Sequence, residues 1–264
     1  MIGLGSYAFF WQQSEANPKR LSLVDVLKET NHLNVKLFQI CDYEPLTSMT
    51  DRELRKAADT AKKLGIQIEL GTKGIEPVRL ARFLELAKIF DAKLIRSMVY
   101  SDECRPSKAE AIQNLVHEIK NFEAAGISLA LETYEQISTN DLVSIITKVR
   151  SPNLGICLDP ANVVARLENP KDCVKTTAHL VKNIHVKDFE FARQKGWVGF
   201  TYSGAEMGKG LHDYRNLLAK VNPRERGINE IVEHWLPWQG DIETTVQKEK
   251  EWTKTTLEYL RKTA

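Results

Sequence analysis

The sequence predicts an α/β fold, a (β/α)8 (TIM) barrel in which residues 1–264 form a single domain. Three observations lead there. Short apolar runs alternate with longer amphipathic segments along the whole chain. Two of the amphipathic segments stop at a glycine that leads directly into an apolar run, the helix-to-strand joint that parallel α/β arrays repeat. Eight such units fit into 264 residues, of which 42% are hydrophobic, enough for one large core. An open doubly wound sheet is the competing arrangement, but no Gly-x-Gly-x-x-Gly follows the first apolar run.

The expected strands are Ile2–Tyr7, Val35–Ile40, Gln67–Gly71, Lys93–Val99, Ser128–Glu132, Leu154–Asp159, Asn183–Lys187 and Asn229–Glu233. Each is short and either apolar or alternating, as barrel strands are. Helices are expected between them. Thr50-Asp-Arg-Glu53 and Ser107-Lys-Ala-Glu110 are capping boxes, in which hydroxyl and carboxylate satisfy free backbone donors of the first turn. Pro77 suits a first helical turn, and Gly65 and Gly126 suit left-handed helix ends. The stretch Asp188–Gly210, rich in glycine and aromatics, reads as a long irregular loop before a helix starting near Leu211. A loop of that length inside a compact domain is usually functional, and it is expected to cover the pocket as a lid.

Composition excludes several classes of protein. With 37 basic and 35 acidic residues, the net charge of +2 is too small to argue for nucleic acid or an anionic membrane surface. The start MIGLGSYAFF lacks the basic and apolar regions of a secretory leader, and no apolar run approaches the ~20 residues that span a bilayer. Cys41, Cys104, Cys157 and Cys173 are scattered without a CxxC pair. They read as reduced thiols of a cytoplasmic protein, not as a disulfide framework or a thiolate zinc site.

Active sites of such barrels lie at the C-terminal ends of the strands. Strand five ends LALETYE with Glu132 at its mouth, and strand six ends GICLDPAN with Asp159 last. Strand seven reads NIHVKD with His185 near its end, and strand eight reads EIVEHW with Glu233 in the equivalent place. A lone strand-end carboxylate is ordinarily a helix cap or salt-bridge partner, and a lone His is ordinarily a core residue. Four in succession change the weighing, because inward-facing acids are costly to desolvate unless paired or metal-bound. The oxygen-rich set suits one divalent ion: Mn2+, Mg2+, Co2+ or Zn2+.

The segments LALETYEQ, GICLDPAN, NIHVKDF, MGKGLHDY and EIVEHW resemble the xylose isomerase-like barrel superfamily, which includes sugar isomerases, 3-epimerases, dehydratases and endonuclease IV. The resemblance runs from GLGSYAFFW to EKEWTKTTLEYL. It implies one metal held by Glu132, Asp159, His185 and Glu233. It also implies a small sugar or sugar-acid substrate whose carbonyl and hydroxyl the metal chelates, stabilising an enediolate. Many epimerases of the group carry a His three residues after the strand-six Asp. Here that position is Asn162, which hydrogen-bonds but exchanges no proton near neutral pH.

Other residues are candidates for the pocket. Lys187 shares a strand face with His185 and reads as a general acid, a ligand for a substrate oxygen, or a partner of a rim carboxylate. Arg96, inside LIRSMV, needs an anion if it faces inward, with Glu69 favoured over a substrate carboxylate. Arg193 is expected to fold back over the pocket and contact substrate. The backbone N–H groups of Gly208 and Gly210 suit a substrate oxyanion. Tyr7, with Phe10 and Trp11, forms either an apolar wall over a sugar face or ordinary core.

The favoured reaction is decarboxylation of a 3-keto sugar acid, with Lys187, Glu132 and Glu233 as catalytic groups. It needs a carboxylate anchor, an electrophile and one proton donor. The run HVKDF-x-x-x-R with MGKG further on is similar to the 3-oxo-isoapionate decarboxylase branch of the superfamily. The alternatives are a ketose 3-epimerase or sugar isomerase using Glu132 and Glu233 as an acid–base pair, a dehydratase, and a metal-free binding barrel. Endonuclease activity would need further ligands, and His32, His117 and His179 lie in helical or pre-strand segments. No nucleic-acid or membrane partner is expected, and the sequence leaves the oligomeric state open, a homo-oligomer included.

Overall fold

The computed structural model describes residues 1–263, the side chain of Trp197 excepted. The strands are β1 (Ile2–Gly5), β2 (Leu37–Cys41), β3 (Gln67–Gly71), β4 (Leu94–Ser97), β5 (Ser128–Glu132), β6 (Leu154–Leu158), β7 (Val181–Val186), β8 (Asp188–Arg193), β9 (Phe200–Ala205) and β10 (Asn229–Val232). Seven of them, β1 to β7, close with β10 into a parallel barrel, because β1 pairs with both β2 and β10. The expected strands are all present: β3 and β5 match, β2 is shifted along the chain, β7 starts two residues earlier, and the others are shorter. The first is trimmed because a 3-10 turn, Ser6–Phe9, takes over after Gly5 and carries Tyr7 to the rim.

The helices are α1 (Phe10–Gln13), α2 (Leu23–His32), α3 (Asp51–Leu64), α4 (Pro77–Phe90), α5 (Lys108–Ala125), α6 (Thr139–Val149), α7 (Pro170–Thr177), α8 (Tyr214–Val221) and α9 (Ile242–Lys262). Both capping boxes form, at the starts of α3 and α5. Both helices end on a left-handed glycine, Gly65 (φ 65°) and Gly126 (φ 64°), a conformation that a Cβ penalises. Pro77 opens α4. The helix expected near Leu211 begins at Tyr214 instead, because Asp213 caps it by accepting the Asn216 N–H. None of the described helices is long and apolar enough to cross a membrane.

The main apolar core lies between the strands and the helical ring, where Leu4, Phe38, Leu70, Ile95, Leu131, Ile156 and Ile184 meet helix residues such as Leu27, Leu54 and Phe122. A much smaller apolar cluster consists of Leu94, Ala130 and Cys157. Their neighbours in register include polar residues: Gln39 pairs with Glu69, Arg96 with Ala130, and Cys157 with Asn183. Side chains alternate along a strand, so these residues form a face distinct from the main core.

The stretch 188–210 departs from expectation. It is an antiparallel hairpin, with Asp188 opposite Ala205 and Arg193 opposite Phe200. Gly196 and Gly199 take positive φ in its turn. Alternation in DFEFAR and FTYSGA is the pattern of two strands, and the glycines mark the turn between them. The base is buried at Phe189 and Ala205, whereas Phe191 and Phe200 are exposed. The aromatics expected to shield the pocket are therefore divided. Phe189 packs on Tyr202, and Tyr202 packs on Trp235 beyond β10.

Candidate metal centre

Strand alternation assembles the site. Asn183, His185 and Lys187 follow one another along one face at the end of β7, the first two inside β7 and Lys187 just after it. Glu132 closes β5, Asp159 follows β6 and Glu233 follows β10. All four expected ligands are buried. His185 Nδ1 lies 3.3 Å from Glu132 Oε1, 3.3 Å from Glu233 Oε1 and 4.0 Å from Asp159 Oδ2.

The fit of this set to a cation shows in what lacks a partner. Glu132 Oε2, Asp159 Oδ2, His185 Nδ1 and Glu233 Oε1 are buried without a hydrogen bond, one atom from each of the four residues. A buried polar atom left so costs about 1–3 kcal/mol, more if charged. Two of these oxygens also face cations: Lys187 Nζ is 2.6 Å from Asp159 Oδ2, and Arg96 Nη2 touches Glu132 Oε2. Those two oxygens are thus ion-paired, and a bound ion would share them with Lys187 and Arg96. Glu132, Asp159 and His185 offer ligand atoms all within 4.8 Å of one another, and Cys41, His185 and Glu233 do the same. Burial pushes the Cys41 thiol well up, and the carboxylate-rich set is the one that suits a hard divalent ion.

Charge inside the site is finely divided. Lys187 Nζ bridges Asp159 and Glu233, at 2.7 Å from Glu233 Oε2, and sits 4.6 Å from the centre of the Trp235 ring. Burial opposes its charge, yet Asp159 and Glu233 hold its pKa well above the usual lysine value. Burial likewise opposes ionisation of Glu132, but Arg96 and His185 bring its carboxyl down to about 2. Glu233 is held down in the same way by His185 and Lys187. Asp159 goes the other way: burial raises it to about 6, with Lys187 only partly offsetting. The three carboxylates share Lys187, Arg96 and His185, and burial leaves Asp159 the one most prone to hold a proton.

Several expectations need correction. Arg96 does not pair with Glu69. Its Nη1 donates to Asp42 Oδ1 at 3.0 Å and to the Thr72 carbonyl at 2.9 Å, and its Nη2 faces Glu132. Glu69 is two residues before Gly71, the register partner of Arg96, and so lies one layer deeper. The Gly208 and Gly210 N–H groups do hold an anion, but it belongs to the chain. They donate to Asp188 Oδ2 at 2.8 and 3.0 Å, while Phe189 and His212 N–H donate to Oδ1. A Cβ on Gly210 would collide with the Asp188 carboxylate. Arg193 does not fold back over the pocket. It lies on the exposed outer part of β8 with its guanidinium over the Phe200 ring, because extended pairing with β9 carries it outward.

Asn162 and Tyr7 do reach the site. Asn162 Nδ2 donates to Glu132 Oε1 at 2.8 Å, and Tyr7 Oη donates to Asp42 Oδ2 at 3.2 Å. Beside Tyr7 and Asp42 a cavity of about 590 Å3 opens to the surface, with Phe10 and Arg20 on its wall. A larger cavity, about 890 Å3, lies at the opposite mouth around Glu69, Ser128, Lys182 and Asn229. The four expected ligands line neither cavity, but Glu132, Asp159 and Glu233 stand at the C-terminal strand ends, the mouth on which the smaller cavity opens. Asp42, Gln39 and Trp235 were not singled out in the sequence. Asp42 lies one residue beyond β2 in a left-handed backbone conformation (φ 49°), a placement that no period announces.

A closed parallel barrel, carboxylates gathered at the strand ends and a histidine among them define the class: a (β/α)8 barrel with a candidate cation site at its C-terminal mouth. The profile of the xylose isomerase-like TIM barrel family matches residues 50–263, and the chain belongs to that family. It is 47% identical over 259 residues to a 3-oxo-isoapionate decarboxylase of Pectobacterium atrosepticum, covering 98% of this chain and 94% of the relative. Two solved structures share the fold at lower identity. D-psicose 3-epimerase of Clostridium cellulolyticum, solved with D-tagatose, superposes with a TM-score of 0.75 at 13% identity, covering 99% of this chain and 98% of that one. A xylose isomerase-like barrel protein of Mycobacterium smegmatis, solved with magnesium, gives 0.69 at 16% identity, covering 96% and 95%.

Proposed function

We propose that this protein is a divalent-metal-dependent decarboxylase of a 3-keto sugar acid, with 3-oxo-isoapionate the first substrate to test. The observation that carries this reading is a site with one mobile-proton cation, Lys187, and a neutral amide, Asn162, bonded to Glu132. The decarboxylase relative, aligned over 98% of the chain, supports it. Glu132, Asp159, His185 and Glu233 would hold the ion. When bound, it supplies positive charge where the electron pair of the breaking carbon–carbon bond moves onto the ketone oxygen.

The residues do the rest. Lys187 gives a proton to the carbon that loses carbon dioxide, and solvent restores it. While the carboxylates serve Lys187 alone, their field holds that proton tightly. Once they also serve a dication, the field weakens and Lys187 becomes a better acid. Asn162 keeps Glu132 oriented by hydrogen bonding without offering a second exchanging group. The hairpin base (Phe189, Tyr202) and Trp235 crowd the Lys187 side of the rim, which limits water near the reacting carbon.

The test is carbon dioxide release from 3-oxo-isoapionate by Mn2+-loaded protein, run beside neutral ketoses in heavy water. Metal-dependent carbon dioxide release with little exchange into the ketoses is the expected result. Deuterium uptake at carbon 3 with epimer formation, and no carbon dioxide, would refute the reading in favour of proton exchange by Glu132 and Glu233.

A further inference from the structure

Beneath the expected ligands runs a hydrogen-bonded column that the chemistry above does not use. Gln39 Oε1 lies 2.8 Å from His185 Nε2. Gln39 Nε2 donates to Glu69 Oε2 at 3.1 Å and to Asn183 Oδ1 at 3.0 Å. Asn183 Nδ2 in turn donates to Glu69 Oε2 at 2.9 Å, and Asn229 Nδ2 donates to Glu69 Oε1 at 2.6 Å. Asn229 Oδ1 accepts from the N-terminal ammonium at 3.0 Å. The column therefore spans the barrel from its far mouth to the candidate metal ligands. Gln39, Asn183 and His185 are fully buried.

The network leaves one orientation for each amide. Burial opposes ionisation of Glu69, but the amides of Asn229, Gln39 and Asn183 favour it. In its ionised form Glu69 has only acceptors to offer, so the ends of Gln39 and Asn183 that face it are their NH2 groups. The Gln39 atom that faces His185 is then its carbonyl oxygen, which accepts and cannot donate. His185 Nε2 must carry the hydrogen that fills this contact. Without an ion, burial opposes a charged ring but the surrounding carboxylates favour it, with a hydrogen on each nitrogen. In the neutral ring that metal ligation requires, Nδ1, on the carboxylate side, is the nitrogen left to present a lone pair. A leucine at position 39 would fill comparable space and provide no such instruction.

Resting on the metal-centre reading, we propose that Gln39, oriented by Glu69 and Asn183, is a positioning residue that fixes His185 as an Nδ1 ligand. Outer partners of this kind contribute about 10–100-fold to metal affinity.

The experiment measures Mn2+ affinity by calorimetry on metal-stripped protein, independent of turnover. Gln39→Leu is expected to weaken Mn2+ binding by about 10–100-fold. The double variant Gln39→Glu with Glu69→Gln moves the acceptor carboxylate next to His185 at unchanged net charge. It is expected to bind within about threefold of wild type, because an acceptor again faces Nε2–H. Gln39→Leu binding within about threefold of wild type would overturn the proposal, as would a double variant as weak as Gln39→Leu. Should Gln39→Leu fail to fold, the double variant decides alone: near-native affinity supports the assignment and a loss beyond about tenfold overturns it. A wild-type protein that binds no Mn2+ would overturn the metal centre itself and this assignment with it.

Discussion

The Asp188 clasp is open to a quantitative test. Its carboxylate accepts four backbone N–H groups, at 2.9 Å from Phe189, 2.8 Å from Gly208, 3.0 Å from Gly210 and 2.9 Å from His212. Hydrogen bonds to a charged group contribute about 1.5–3 kcal/mol each, so four set an upper bound near 6–12 kcal/mol. Water reclaims part of that in Asp188→Ala, because Gly208 is exposed and Gly210 and His212 are partly so. Phe189 N–H stays buried and unpaired. The expected loss is roughly 1–3 kcal/mol in urea unfolding, since only the buried donor is fully orphaned. Hydrogen exchange should show the same thing locally, with amides of 208–212 and the hairpin base losing protection while β1 to β7 keep theirs. A loss below about 1 kcal/mol with unchanged exchange would refute the clasp and return the glycine N–H groups to the substrate.

Other consequences follow from the same geometry. Lys187→Met should lower kcat by at least about 100-fold, with Mn2+ bound as tightly as before or tighter; a change confined to KM would contradict its role as proton donor. Arg96→Met leaves Asp42 and Glu132 buried without their cation and should cost about 3–5 kcal/mol by denaturant unfolding, whereas a near-neutral result would show that solvent reaches the pair. Burial raises Glu249 to about 7, although the Trp11 and Gln12 N–H groups offset part of the effect. Its folded pKa exceeds its unfolded one, so the folded state binds more protons between those values and stability falls as pH rises from about 4.5 to about 7. The slope should flatten in Glu249→Gln, and identical pH profiles of Tm for the two proteins would exclude the assignment.

The sequence showed most of the barrel and the core of the site because both depend on local period. Glu132, Asp159 and Glu233 close or follow an apolar or alternating run and His185 sits near the end of one, so their common rim could be read before any contact was known. Lys187 followed from His185 by two-residue spacing. What stayed hidden depends on pairing across the chain. No pattern shows that Gln39 meets His185, 146 residues away, or that Arg96 chooses Asp42, whose reach comes from a left-handed turn after β2. The glycines of 208–210 correctly announced an anion site, but Asp188 fills it from 20 residues upstream. In the hairpin, the glycines drew attention from the alternation on either side of them.

The most direct test of the metal centre is anomalous diffraction from Mn2+-soaked crystals at the manganese edge. A single peak is expected about 2.0–2.6 Å from carboxylate oxygens of Glu132, Asp159 and Glu233 and from His185 Nδ1. A peak elsewhere in the barrel, coordination through His185 Nε2, or no peak at saturating Mn2+ would contradict it.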